Sequence, residues 1–343
     1  MTAVAEAAPI AAGWLRSREF DLHFIFAIAA LALISGWVVV ADPRLFVPIL
    51  LADLWLLGYH HVIATYTRLC FDRESFRQHR FLVLGLPPLV IGGVLVLGLG
   101  VGLWVLASIY LYWQWFHYTR QSFGIAQAYR RKSNGLVDDP EWLGKLIFYA
   151  VPLWGIVHRS AQDPGSFLGL ELRVIPVPAL LDEVLGLAAA AAVCWWVAGR
   201  VLSYRRGRLA VAHTAYMASH FVVFYVGYLL IEDITYGWLV INVWHNAQYI
   251  AFVWLYNNNR FKGGIDARAK FLSTISQSRF SWLYFAVCLG ISSVLYLALE
   301  NMVAALPLLV VTYQAINFHH YIVDGLIWKM RRRPLQKVLG LNR

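Results

Sequence analysis

Charged residues are scarce in this 343-residue chain, at 14% against the roughly 25% that is usual in a globular protein. Hydrophobic residues make up 60%, and the mean hydropathy is +0.58. Apolar runs recur along the chain, and each approaches the roughly 20 residues that a membrane-spanning helix needs. Runs such as FLVLGLPPLVIGGVLVLGLGVGLWVLA do not alternate, which excludes the strands of a β-barrel. The sequence therefore predicts an all-α fold, a polytopic bundle of transmembrane helices.

Cysteine is also rare. The chain has only Cys70, Cys194 and Cys288, which are far apart and odd in number, so we expect neither a disulfide framework nor a CxxC metal site. A Gly-rich phosphate loop is absent as well. The formal net charge is +10, but the basic residues lie between apolar runs rather than on one soluble face. We therefore expect no nucleic-acid partner.

Ten apolar segments are long enough to be predicted as membrane spans. They are 22–41, 46–67, 81–101, 104–127, 143–159, 178–202, 210–231, 236–256, 280–299 and 303–328. The connecting loops are too short for a soluble domain. We therefore expect a single integral membrane domain over 1–343, with a cytoplasmic N-terminal segment at 1–20 and a basic cytoplasmic tail at 329–343.

The distribution of Lys and Arg predicts the orientation. Basic residues cluster after each even-numbered segment, whereas the opposite side holds only Arg44, Arg159 and Arg173. Cytoplasmic loops of membrane proteins carry the excess of Lys and Arg. Both termini are therefore expected to face the cytoplasm, in a multi-pass protein of the cell membrane, the inner membrane of a bacterium.

Ten of the eleven histidines fall inside the predicted spans, and eight of these ten lie deeper than the span ends. These eight are His60, His61, His117, His213, His220, His245, His319 and His320. At a helix rise of about 1.5 Å per residue, His61 lies about 10 Å before Arg68, and His320 about 14 Å before Lys329. Five spans thus bring imidazoles into one layer below the cytoplasmic face. A single histidine can be an ordinary interhelical link, but eight at comparable depth predict a shared metal site, in which His213 is the weaker member.

Two carboxylates share helix faces with histidines. Asp53 precedes His60 by seven residues, and Asp324 follows His320 by four. We expect Asp53 and Asp324 to be catalytic, either as metal ligands or as groups that orient the ligands. The alternative is that they are polar links between helices.

Two amides and one cation accompany the histidines in the same way. Gln121 follows His117 by four residues, and Gln248 follows His245 by three. We expect Gln121 and Gln248 to hold imidazoles at the cofactor site. Arg120 is expected to hold the head group of a substrate, since guanidinium binds carboxylate and phosphate, or else to pair with a buried carboxylate.

Imidazoles with a few carboxylates suit non-haem iron, which activates dioxygen. No cysteine lies near these histidines in the sequence, and of the methionines only Met217 does, which argues against Cu(I). Haem with two axial histidines is the second candidate. Six to eight histidines exceed what one haem needs and suit two metals, or one metal plus one haem; of these we expect two iron ions.

The gathering of histidines near cytoplasmic helix ends, including the pairs YHHVI and FHHYI, resembles in plan the histidine-rich integral-membrane di-iron desaturases and hydroxylases. The HxxxH and HxxHH boxes of those families are absent here. The polytopic carotenoid-cleaving dioxygenases are similar in also using histidines within spans. The resemblance implies a metal-dependent, dioxygen-using oxidoreductase acting on an acyl lipid, isoprenoid or carotenoid, with an electron-donor protein on the cytoplasmic side.

Two other classes of function stay open from the sequence. A transporter of metal ions or protons would also use histidine and aspartate chains, but it should place polar residues through both leaflets, whereas here they concentrate in one. A haem-binding electron-transfer protein is the other alternative. Metal content and an optical spectrum would separate the three.

Overall fold

The computed structural model describes residues 13–137, 139–302 and 306–341. Helices make up 82% of the described residues, among which strands are almost absent. The prediction of an all-α fold is confirmed. Residues 1–12 of the expected N-terminal segment, 303–305 of the tenth predicted span and 342–343 of the basic tail lie outside the described residues.

Long helices follow one another along the chain. Their bounds are α1 Arg18–Ala41, α2 Pro43–Leu69, α3 Arg73–Gly100, α4 Leu103–Lys132, α5 Glu141–Gln162, α6 Ala179–Arg205, α7 Val211–Tyr225 with a π-helical turn at Val226–Leu230, α8 Ile234–Arg260, α10 Ser281–Met302 and α11 Leu306–Ile327. The short helices are α9 Lys270–Ile275 and α12 Arg333–Val338. Strands β1 Ser166–Phe167 and β2 Leu170–Glu171 pair antiparallel in a small hairpin.

Among the described residues, five helices are long and apolar enough to cross a membrane: α1, α2, α3, α6 and Ser278–Leu299, which includes most of α10. The other long helices, α4, α5, α7, α8 and α11, carry more polar side chains, including every histidine from His117 onward. Each of the ten predicted segments coincides with a long helix. That all ten cross the membrane, with both termini on the cytoplasmic side, stays a prediction.

Helix α8 lies at the centre of the bundle. Of its 27 residues, 19 are buried, and they lie all around the helix. It packs against α1, α2, α4 and the end of α7. A helix that is buried on every side has no face toward solvent or lipid. The polar residues of α8, Asn242, His245, Asn246 and Tyr249, must therefore face other helices.

A buried arginine holds the end of α7. Arg159 of α5 is 0% exposed and donates to the backbone oxygen of Gly227 at 3.2 Å and to those of Ile231 and Glu232. These carbonyls belong to a helix C-terminus, which carries partial negative charge and lacks intrahelical donors. Nearby, α8 approaches so closely that a Cβ at Gly237 would collide with the Gly227 oxygen. The two contacts set the position of α8 against α7.

Candidate metal centre

Four histidines from four helices meet in the interior. His61 of α2, His117 of α4, His245 of α8 and His320 of α11 are each at most 6% exposed. Ring centroids are 4.6 Å apart for His61 and His320, and 4.9 Å for His117 and His245. The centroids of His117 and His320 are 5.1 Å apart, and those of His61 and His245 are 5.6 Å apart. The four imidazoles therefore form one cluster in the interior of the bundle.

The four rings present the same atom without a partner. Within the described part of the chain, Nε2 of His61, His117, His245 and His320 is buried and makes no hydrogen bond. Buried polar atoms are normally paired, and the exceptions call for an explanation. Neutral imidazole nitrogen is a metal ligand for Zn, Cu, Fe and Ni. The ligand atoms of His61, His245 and His320 lie within 4.8 Å of one another, so this set could hold a metal ion.

Asp324 lies beside two of these nitrogens. Its Oδ2 is 3.6 Å from Nε2 of His320 and 4.0 Å from Nε2 of His117. His117, His320 and Asp324 form a second group whose ligand atoms are within 4.8 Å of one another. Asp324 Oδ1 accepts a hydrogen bond of 2.6 Å from the Tyr249 hydroxyl. One carboxylate oxygen is thus held by the protein while the other faces the histidines.

The hydrogen bonds around Tyr249 determine the tautomer of His320. With Asp324 as an ionised carboxylate, the Tyr249 hydroxyl donates its one hydrogen to Asp324, and Trp328 Nε1 at 2.8 Å and Thr65 Oγ1 at 2.7 Å donate to Tyr249. Thr65 has then used its own hydrogen in this contact, which is shorter than its 3.4 Å contact with the His61 oxygen. At its 3.1 Å contact with Nδ1 of His320 it must accept. His320 therefore carries its hydrogen on Nδ1, and the lone pair of Nε2 points into the centre.

Aromatic rings cover two of the histidines. Tyr118 stacks on His245 with centroids 4.0 Å apart, and Tyr321 stacks on His117 at 4.2 Å. The Tyr118 hydroxyl donates to Asn242 Oδ1 at 2.6 Å. Such packing holds the imidazole planes and excludes water from them, as the residues around a metal-ligating histidine generally do.

Asp53 reaches the centre only through other residues. Its Oδ2 accepts a 2.5 Å hydrogen bond from Asn242, which in turn accepts from Tyr118, the ring stacked on His245. A π-helical turn at Leu54–Gly58 follows Asp53 directly. Because a π turn holds an extra residue, a spacing of seven no longer returns to the same helix face. The expected pairing of Asp53 with His60 therefore does not appear.

Each adjacent histidine pair contributes one ring to the centre. His60 lies next to Phe285 of α10, with centroids 6.2 Å apart, and its Nδ1 contacts the backbone oxygen of Leu56 at 3.1 Å. His319 contacts the Leu82 oxygen at 2.7 Å through Nε2. Neighbouring residues on a helix do not face the same way. The structure thus places His60 and His319, the two histidines that do not join the centre, against other helices.

The two histidines of α7 also lie outside the centre. His220 is bonded at both nitrogens, to Ser122 Oγ at 3.0 Å and to the Phe148 oxygen at 3.2 Å. His213 lines a separate small cavity with Arg130. His220 acts in the structure as a link between α7, α4 and α5, and His213 is not brought near the other histidines.

The predicted amides contact backbone or tyrosine rather than imidazole. Gln121 Nε2 donates to the backbone oxygen of His245 at 3.4 Å, and Gln248 Oε1 accepts from Tyr216 at 3.1 Å. Arg120 donates to the Gly325 oxygen at 2.9 Å. Gln121 therefore positions the α8 backbone at His245, whereas Gln248 faces α7.

Two small cavities border the histidines. One has a volume of about 40 Å³ and is lined by His117, Arg120, Gln121, Asp324 and, at the basic helix ends, Trp328 and Met330. The other has about 10 Å³ and is lined by His61 together with asparagines and tyrosines. The histidine cluster therefore borders one cavity near the end where the basic residues gather and a separate chamber lined by asparagines and tyrosines.

Several residues of the centre were not found from the sequence. Thr65, Tyr118, Tyr249 and Tyr321 contact the four rings or Asp324. A signal existed for two of them, because Thr65 follows His61 by four residues and Tyr249 follows His245 by four, which places each pair on one helix face. Tyr118 and Tyr321 stack across helices, and nothing in the local sequence indicates that.

Comparison of the chain with known protein families, with curated proteins and with solved structures finds no match. What the protein does must therefore be argued from the geometry of the four histidines.

Proposed function

We propose that the protein binds one metal ion through His61, His117, His245 and His320. The observation that carries this proposal is that these four clustered rings each have a buried Nε2 with no hydrogen bond to a described residue, and that they fall into two groups of potential ligands that share His320. The hydrogen count at His320 supports it, because that nitrogen presents a lone pair rather than a hydrogen. Asp324 is a further ligand, or orients the ligands through its contacts with His117 and His320.

One ion fits this arrangement better than the two that the number of histidines suggests. The two groups able to hold a metal share His320. A neutral imidazole has one lone pair available at Nε2, and Nδ1 of His320 faces Thr65. A second ion would therefore compete with the first for the same atom. Haem also fits less well, since the cavities beside the rings have volumes of about 40 Å³ and 10 Å³, too small for a macrocycle.

The metal we propose is non-haem iron, because imidazole nitrogens with a carboxylate oxygen are ligand types that this ion uses. Iron held there would supply dioxygen-dependent oxidation chemistry. The protein's own part is to hold the ligands through Thr65 and Tyr249, to keep a proton between Tyr249 and Asp324, and to cover the rings with Tyr118 and Tyr321.

We therefore propose a membrane-embedded oxidoreductase that acts on a lipid-soluble substrate. The described part of the chain has five helices able to cross a membrane, and a protein embedded in this way is surrounded by lipid, from which such a substrate can enter. The cavity lined by Arg120 and Met330 lies at the basic helix ends. An electron-donor protein would approach from this side, which we take as the cytoplasmic side of a bacterial inner membrane. A metal or proton transporter is the runner-up. It is disfavoured because the larger cavities beyond His61 have mostly apolar walls.

The adjacent histidines provide matched variants for a test. Purified H61A and H320A should lose the bound metal, because each lacks one of the four rings. H60A and H319A change the neighbouring residue, also buried or nearly so, and should keep the metal content of the wild type. Metal is measured by mass spectrometry of the purified protein and by its optical spectrum.

Two outcomes would contradict the proposal. One is a wild-type protein without transition metal. The other is a loss of metal that is as large in H60A and H319A as in H61A and H320A. A Soret band would point to haem, and metal uptake by proteoliposomes would favour the transporter.

A further inference from the structure

A small polar chamber lies directly beside His61. Its walls include Asn242, Asn246, Asn317 and Tyr118, and its volume of about 10 Å³ is about the space for one water-sized molecule. On α8, Asn242 lies three residues before His245 and Asn246 directly after it. On α11, Asn317 lies three residues before His320. None of them was singled out by the sequence. The chamber is thus a second polar feature at the centre, made by amides rather than imidazoles.

Two of these amides carry buried polar atoms without a hydrogen bond of normal geometry. Asn246 is 1% exposed, and neither its Oδ1 nor its Nδ2 makes a hydrogen bond of normal geometry to a described residue, although the side chain lies close to Asp53. Asn317 is 6% exposed, and its Nδ2 has no partner in the described part of the chain. Buried amides are normally paired. Unpaired donors and an unpaired acceptor in one chamber indicate a place for a ligand that both donates and accepts.

The chamber adjoins a large apolar cavity. This cavity has a volume of about 540 Å³, within the roughly 300–1,000 Å³ of small-molecule sites. Tyr59 and Tyr313 line both the cavity and the chamber. Leu51 and Leu309 also line this cavity, and they are 46% and 38% exposed on the surface of the bundle. An apolar chain entering from the lipid would thus reach the amides past two tyrosines.

We propose that the chamber and the 540 Å³ cavity bind a long-chain primary alcohol, with the hydroxyl in the chamber and the alkyl chain in the cavity. A hydroxyl donates one hydrogen bond and accepts others, so it can satisfy Asn246 Oδ1 and an amide Nδ2 at once. A carbonyl oxygen only accepts, and an alkane does neither. The inference rests on the proposed function in placing the hydroxyl beside the metal; binding of the alcohol itself does not require the metal.

A second apolar cavity, of about 680 Å³, also touches the chamber. It meets the chamber at Val62 and Ile316, which are aliphatic, and not at a tyrosine hydroxyl. Its wall includes Ile91, which is 46% exposed, as Leu51 is in the first cavity. The two positions provide matched sites at which a bulky side chain can narrow one cavity and leave the other open.

The test uses radiolabelled 1-hexadecanol on purified full-length protein in lipid nanodiscs, with hexadecanol, hexadecanal and hexadecane as competitors. Hexadecanol should displace the probe at about tenfold lower concentration than hexadecane, because a net hydrogen bond contributes about that factor to affinity. Hexadecanal should compete at a concentration between these two. N246L and N317L should reduce this preference. L51W should weaken binding of all three compounds, whereas I91W should not.

Equal competition by hexadecanol and hexadecane in the wild type would overturn the inference, as would an unchanged preference in N246L and N317L. Blocking by I91W but not by L51W would also overturn it, because the chain would then lie in the other cavity. If N246L does not fold, N317L and the wild-type series still decide. Metal content is measured on the same samples: metal-free protein that prefers the alcohol removes the proposed function alone, and metal-loaded protein without preference removes this inference alone.

Discussion

Replacing Thr65 by valine should weaken metal binding although Thr65 is not a ligand. The Thr65 hydroxyl accepts from Nδ1 of His320 at 3.1 Å and donates to Tyr249 at 2.7 Å. Valine keeps the shape but removes both bonds. His320 is then free to turn and to take the other tautomer, in which Nε2 carries the hydrogen. Loss of such an orienting partner typically lowers metal affinity about 10- to 100-fold, and we expect T65V to fall in that range.

Thr67 provides the control on the same helix. It is 0% exposed, donates to the Ala64 oxygen at 2.7 Å, and contacts Tyr284 at 3.0 Å and Asn257 at 3.0 Å. Like Thr65, it is a buried threonine whose hydroxyl joins helices. Leaving buried partners unpaired costs about 1–3 kcal/mol, so T65V and T67V should lose stability by similar amounts. Only T65V should lose metal affinity.

Metal affinity is measured by competition with a chromogenic chelator, and stability by thermal unfolding of the metal-free proteins in the same detergent. The reasoning is refuted if T65V binds metal as tightly as the wild type. It is also refuted if T67V weakens binding as much as T65V, because the effect would then come from general destabilisation of α2 and not from the orientation of His320.

Two further predictions concern residues away from the metal. R159M should lower the unfolding temperature without changing metal content, because the carbonyls at the end of α7 lose charged donors worth about 1.5–3 kcal/mol each. R173M removes an exposed ion pair and should change the unfolding temperature little. Equal effects of the two substitutions would contradict the role assigned to Arg159. Burial raises the pKa of Asp72, but hydrogen bonds from Arg260 and from a neighbouring serine outweigh this and leave the pKa below its ordinary value. The folded pKa is lowered, so the stabilisation is complete above the unfolded pKa of about 3.9 and is lost as pH falls below it; D72N should therefore lose less stability than the wild type over that range, and parallel pH curves would contradict this.

The positions of the long helices could be predicted from apolar runs alone. Each predicted segment coincides with a helix, because a run of about 20 apolar residues has few other ways to satisfy its backbone in lipid. The hydropathy of α4, α5, α7, α8 and α11 is lower than that of the other five, since these helices carry the interior polar residues. Composition therefore indicates five helices able to cross a membrane, and leaves the crossing of the others as a prediction.

The candidate site was predictable in its ligand type but not in its membership. The sequence indicates clustered imidazoles at one depth, because depth follows from the helix rise. Which face each histidine occupies also follows in part: of two adjacent histidines, only one can face a given point. Applied to His60–His61 and to His319–His320, that rule predicts one metal ligand from each pair, where the sequence analysis expected two.

By itself the sequence determined an all-α chain and the approximate helix positions, since these depend on local composition; the layer in which the histidines lie stays a prediction from spacing along single helices. Only the tertiary structure decided which four histidines meet, that Asp324 joins them while Asp53 stands behind Asn242, and that unpaired amides line a chamber at His61. The physical reason is that these relations depend on how helices rotate and pack against one another. A π turn before His60 and the close approach of α7 to α8 change those rotations, and neither can be read from hydropathy or residue type.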